Sequence, residues 1–105
     1  MADSSSPVLH GVVVEETLHF TLVELCRACR VQQEQLIVLV EEGVLQPQGD
    51  DPQTWVFAGP SLRRARAALR LSNDLQLNAA GTALVMDLLD EIESLRARLN
   101  RIGGR

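Results

Sequence analysis

The sequence predicts a mainly α-helical domain, a winged helix-turn-helix with a small β-wing and a long C-terminal dimerising helix. Three observations carry this. Phe20, Trp55 and Phe57 are the only aromatic residues, so the core must be built from Leu, Val, Ile and Ala, which favours packed helices over a sandwich. Apolar residues recur at helical spacing along most of the chain, most regularly near its end. Gly43, Pro47, Gly49 and Pro52 gather in one stretch, the composition of a turn region between helices. At 105 residues the chain is long enough for one domain with one modest core.

Residues 1–17 are expected to be a flexible arm or an edge strand. Ser and Pro dominate the start, and Val12-Val13-Val14 supplies β-branched content. Residues 18–74 are assigned to the winged helix-turn-helix. Thr21 is an N-cap with Glu24 three residues later, a capping box in which each end satisfies an otherwise orphaned backbone N–H. Leu22, Leu25, Cys26 and Cys29 then follow at helical spacing. Val31 marks the turn. The second helix, residues 33–42, buries Leu36, Leu39 and Val40. Gly43 suits the left-handed C-terminal position, and Pro47 prevents the helix from restarting. Residues 53–57 read as a strand that pairs with residues 45–48 to make the wing, and Trp55 and Phe57 share one strand face. Trp55, the only Trp, reads better as core filling than as an interface anchor. Pro60 opens a third helix with an apolar stripe of Leu62, Ala65 and Leu69, ending near Leu71 where Ser72-Asn73-Asp74 breaks it.

Residues 75–102 are assigned to a coiled-coil-like helix capped by Asn78. Val85, Leu88, Ile92, Leu95, Leu99 and Ile102 alternate three- and four-residue spacings, an a/d heptad seam. These six are the expected dimerisation residues. The acidic stretch 87–93 precedes the basic stretch 96–101, which matches an antiparallel pair better than a parallel one.

Charge is unevenly placed. Residues 1–59 hold two arginines against nine acids, a net of −7, whereas residues 60–105 hold eight arginines against five acids, a net of +3. The chain has no Lys. A helix that reads DNA needs basic residues, because phosphate contacts dominate affinity. The second helix has Glu34, Glu41 and Glu42 and no basic residue, so it suits a basic protein surface instead. The candidate partner-binding residues are Glu34, Ile37, Val38, Glu41 and Glu42 with Asp50 and Asp51 of the turn. A solvated polar face is the competing reading of the same acids.

Other chemistries find little support. Cys26-Arg27-Ala28-Cys29 is formally C-x-x-C, but zinc needs four ligands, and only His10 and His19 remain. Buried helical cysteine is the favoured reading. No metal and no cofactor are expected. There is no nucleophile–base pair and no Gly-rich phosphate loop, so the chain is not read as an enzyme. No stretch of eighteen apolar residues exists, and the N-terminus lacks the basic and apolar regions of a signal peptide. The cytoplasm is the expected location.

The order of elements resembles the MerR-type winged helix-turn-helix, and within it the CbpM chaperone-modulator family. The resemblance rests on Leu25-Cys26, Leu36 in an acidic second helix, Gly43-Val44 with Pro47, Thr54-Trp55-Val56-Phe57, and the segment 84–92 followed by Leu95. DNA-binding MerR proteins carry Leu-Arg-Tyr-Tyr-Glu in the second helix. Here Ile37 replaces the Arg, and Val38 and Leu39 replace the paired Tyr. The resemblance implies a homodimer that binds the J-domain of a DnaJ-like co-chaperone of the CbpA type and inhibits its stimulation of Hsp70 (DnaK) by occluding the shared surface. The alternative is a degenerate MerR-type transcriptional regulator whose DNA contacts come from Arg63, Arg64, Arg66 and Arg70.

Overall fold

The structure, a computed structural model, describes residues 18–103. The expected arm or edge strand at residues 1–17, with Val12-Val13-Val14 and His10, lies outside the described residues. The elements in chain order are β1 (His19–Phe20), α1 (Leu22–Cys29), α2 (Gln33–Glu41), β2 (Phe57–Ala58), α3 (Pro60–Leu75) and α4 (Ala79–Gly103).

α1 starts where the capping box places it. The Thr21 hydroxyl accepts from Glu24 N at 3.1 Å, and the Glu24 carboxylate accepts from Thr21 N at 2.9 Å. Leu22, Leu25 and Cys26 are buried. The helix stops because Arg30 turns left-handed, with φ 61°, and Val31 N then reaches back to Cys26 O at 3.2 Å. α2 opens with the Gln35 side chain accepting from Gln32 N at 3.0 Å. It closes in a Schellman turn: Gly43 N donates to Val40 O at 3.0 Å and Val44 N to Leu39 O at 2.8 Å. Gly43 sits at φ +83°, a conformation that glycine adopts without a Cβ penalty.

The wing is smaller than expected. The predicted hairpin of residues 53–57 with 45–48 reduces to one bridge, in which Gln48 and Val56 exchange backbone hydrogen bonds of 3.0 and 2.8 Å. The cause lies in the turn. Asp51 Oδ1 accepts from Gln53 N at 3.0 Å and Thr54 N at 3.2 Å, which draws those amides away from any ladder. Beyond the bridge, Phe57 and Ala58 pair antiparallel with Phe20 and His19. The strand thus closes onto the segment entering α1.

Phe57 is fully buried among Leu25, Leu36, Leu45, Ala65 and Ala68, the centre of the core. Trp55 packs partly buried against it, its ring edge-to-face with Phe57 at 5.9 Å and 83°. α3 runs four residues past Leu71, so Ser72-Asn73-Asp74 is helical rather than a break. The helix propensities of Ser, Asn and Asp cost only a few tenths of a kcal/mol each. The chain turns at Gln76, φ 57°, where the Ser72 hydroxyl donates to Leu77 O at 2.8 Å. The Asn78 side chain accepts from Gly81 N at 2.7 Å and starts α4.

α4 packs on α3 and α2 through buried Thr82 and Met86. From Asp87 onward every described residue of the helix is exposed. One polar connection crosses this packing. Arg64 Nε donates to Val44 O at 2.7 Å, and its two terminal nitrogens donate to the Asp90 carboxylate at 3.2 and 3.0 Å.

Candidate functional site: the outer face of the second helix

α2 buries Leu36 and Leu39 and leaves the opposite arc to solvent. Val38 lies on that exposed side and is 38% exposed. Residues three and four apart are neighbours on a helix surface. Glu34 is four residues before Val38, Glu41 three after and Glu42 four after, and all three are exposed. One apolar side chain therefore has a carboxylate one turn before it and two one turn after it, with no basic residue on the helix. Ile37 lies at the edge of this face, half-buried and packed against the core. Leu39 is core.

Asp50 and Asp51 are exposed on the wing turn, a separate element. Asp51 already has local work, since its carboxylate holds the turn. The turn lies beside the start of α2: Pro52 and Gln53 line one depression with Val23 of α1 and Gln33.

The predicted seam residues lie on α4. Leu88, Ile92, Leu95, Leu99 and Ile102 are between 43% and 80% exposed, and Val85 is half-buried where the helix still touches its own chain. Leu84 and Leu89 add exposed apolar surface beside the first turn of the seam.

Cys26 and Cys29 are free, the first buried and the second half-buried. Burial pushes the Cys26 thiol above its ordinary value, and Cys29 and Glu34 push it further. Burial also raises Cys29, while Arg66 pulls it down. Both sit in the C-terminal half of α1, where exposed carbonyls disfavour a thiolate. No group of three or more His, Cys, Asp or Glu among the described residues could hold a metal.

Of the arginines assigned to phosphate contact, Arg64 is committed to Val44 and Asp90, and Arg66 points to Ala28 O at 3.4 Å. Two features escaped sequence reasoning. The Arg64–Asp90 pair spans 26 residues and leaves no local signal. A cleft beside Val38, lined also by Leu39, Leu69, Ala79 and Thr82, is built by three helices and has no motif.

A family model described as "MerR HTH family regulatory protein" matches residues 20–103. The chain is 34% identical over 95 residues to "Chaperone modulatory protein CbpM" of Coxiella burnetii, covering 90% of both chains. The chain belongs to the CbpM chaperone-modulator family. Proteins of the same description from Pseudomonas putida and Pseudomonas entomophila are similar too. They are 33% identical over 81 residues (77% of this chain, 80% of the relative) and 34% over 73 residues (70% and 72%). As a CbpM-family chain it has the mainly α, MerR-like helix-turn-helix fold expected of it. No helix among the described residues is long and apolar enough to cross a membrane.

Proposed function

We propose that this CbpM-family chain is a non-enzymatic, cytoplasmic modulator that binds the J-domain of a DnaJ-like co-chaperone of the CbpA type. Bound there, it occludes the surface that Hsp70 needs and so inhibits stimulation of the Hsp70 ATPase. The observation that carries the reading is the exposed Val38 with Glu34 one turn before it and Glu41 and Glu42 one turn after it. The carboxylates steer a basic helix into place, and the apolar centre supplies the dry contact typical of an interface core. Asp50 and Asp51 extend the negative field from the wing. No cofactor takes part.

The modulator acts as a homodimer through the uncovered seam of α4, Val85, Leu88, Ile92, Leu95, Leu99 and Ile102. Several exposed apolar side chains at heptad spacing are more than single scattered surface residues require, and such surface marks an interaction site.

The test is calorimetric titration of the full chain against the J-domain of its cognate co-chaperone at two salt concentrations. Saturable binding that weakens with salt is expected. Glu41→Arg with Glu42→Arg should abolish it. Absence of binding at low salt, or a charge-swapped variant that instead gains DNA affinity, would overturn the reading in favour of nucleic acid or an unrelated partner.

A further inference from the structure

Next to the acids of α2 the surface changes sign. A depression of about 380 Å³ lies between the end of α1 and the start of α2, lined by Val23, Arg27, Arg30, Val31, Gln32 and Gln33. Val23 and Gln33 also line the depression bordered by Pro52 and Gln53 of the wing turn, so the two form one surface. Glu34 follows Gln33 and lies near enough to act on the thiol of Cys26, which belongs to the same lining. Arg27 and Arg30 are exposed, and neither guanidinium has a hydrogen-bond or ion-pair partner among the described residues. Arg30 also stands left-handed at φ 61°, where a Cβ is disfavoured and glycine is the usual residue. Glycine would end α1 at a lower backbone cost, so what Arg30 adds to this position is its side chain.

We infer that Arg27 and Arg30 form a carboxylate-binding site at the edge of the partner-binding face. It takes one Asp or Glu side chain of the same protein whose basic helix docks on Glu34, Glu41 and Glu42. The inference rests on the reading under "Proposed function" and deepens it: the partner must carry an acid beside its bases.

Charge and placement fix the occupant. A guanidinium only donates and is always charged, so it calls for an anionic acceptor, and its planar fork suits the two oxygens of a carboxylate. The walls of the depression supply apolar surface from Val23 and Val31, and a pair partly withdrawn from water attracts more strongly than one in bulk solvent. Phosphate could accept the same bonds. A nucleic acid, however, would carry further negative charges past Glu34 and past Asp50 and Asp51 of the wing, all of them exposed, and those acids would repel it. A protein surface with one acid next to a basic helix satisfies both signs at once. Such alternation of charge across an interface fixes the register of docking and rejects wrong partners.

The experiment compares Arg30→Gly, Arg27→Gln and the double variant with the wild-type full chain. Each is titrated calorimetrically against the cognate J-domain, with urea unfolding measured in parallel. Arg30→Gly should unfold at the same or a higher urea concentration, because glycine accepts the left-handed turn. It should bind about tenfold more weakly, the loss expected of one charge-assisted hydrogen bond. Arg27→Gln should lose a similar factor. Each Asp and Glu of the J-domain is then changed to its amide in turn. One of these changes should weaken binding to the wild type about tenfold and binding to the double variant not at all, the non-additivity of a shared contact. Wild-type affinity in the double variant, beside loss of binding in Glu41→Arg/Glu42→Arg, would overturn the site and leave the acidic face standing. A less stable Arg30→Gly would also overturn it, because the guanidinium would then support the fold. Saturable binding of a short DNA duplex that the double variant loses, with J-domain affinity unchanged, would overturn it in favour of phosphate. If the wild type does not bind the J-domain, the functional reading falls and this site falls with it.

Discussion

The guanidinium of Arg64 grips the carboxylate of Asp90 through two parallel hydrogen bonds, 3.2 and 3.0 Å long. Its third nitrogen caps the carbonyl of Val44 at 2.7 Å. One side chain thus ties the end of α2 to α3 and to the point where α4 leaves the core. Asp90 is about half exposed, so its removal should cost only about 0.5–1 kcal/mol. Arg64→Met loses the Val44 bond as well and should cost about 1–3 kcal/mol. Urea unfolding of Asp90→Asn and Arg64→Met checks the order. Equal losses in the two variants would mean that the Val44 bond contributes nothing.

The seam of α4 predicts a second result. Leu95 is 43% exposed and Ile92 is 46% exposed, so neither supports the fold of its own chain. Leu95→Glu with Ile92→Glu places like charges in the seam and should convert a dimer to a folded monomer. Sedimentation equilibrium reads the mass, and circular dichroism should report unchanged helix content apart from fraying near the end. A wild type that sediments as a monomer at micromolar concentration would remove the dimer.

A third prediction concerns alkaline pH. The chain has no Tyr and no Lys, so the thiols of Cys26 and Cys29 are its only side chains with ordinary values between those of His and Arg. Both titrate above the ordinary thiol value of 9.0 in the folded state, chiefly because they are buried. The unfolded chain therefore releases their protons first. The thiols' contribution to stability is fully present below 9.0 and is lost as pH rises through the folded values. Urea midpoints should therefore fall as the pH rises above 9.0. In Cys26→Ala/Cys29→Ala that fall should flatten. A double variant with the same slope as the wild type would assign the loss elsewhere.

The wing turn gives a fourth. Gly49 has φ +121°, and a Cβ there would lie 2.7 Å from Thr54 O. Both conformation and space exclude a side chain, so Gly49→Ala should destabilise by about 1–3 kcal/mol. The change should also disturb Asp51, whose carboxylate holds the amides of Gln53 and Thr54. Thermal unfolding measures the first effect. Loss of the edge-to-face pairing of Trp55 with Phe57 would appear as a shifted tryptophan emission, and an unchanged spectrum would confine the damage to the turn.

The sequence made some of these features plain and hid others for physical reasons. Thr21 with Glu24 marked the start of α1 because a capping box is a local pattern, and Gly43 marked the end of α2 for the same reason. The end of α3 was not legible, since Gln76 turns left-handed where glycine is the usual signal. The length of the wing was hidden by a competition between a ladder and an Asp51 turn, which composition does not decide. The acids of α2 could be placed on one face by spacing alone. Spacing also put Leu39 in the core and Val38 outside it, but that Ile37 is half-buried against the core depends on how α2 is rotated against its neighbours, a tertiary fact. The burial of Thr82, whose hydroxyl has no hydrogen-bond partner among the described residues, is likewise a product of three helices meeting.

The long free end of α4 makes the Arg64–Asp90 grip a fulcrum. About 18 Å of helix extends from Asp90 to Ile102 at ~1.5 Å per residue. A tilt of about 10° at the grip would carry the far tip through about 3 Å, close to the rise of two residues along the axis. Small adjustments where α2, α3 and α4 meet are therefore magnified along the lever before they reach the distal leucines.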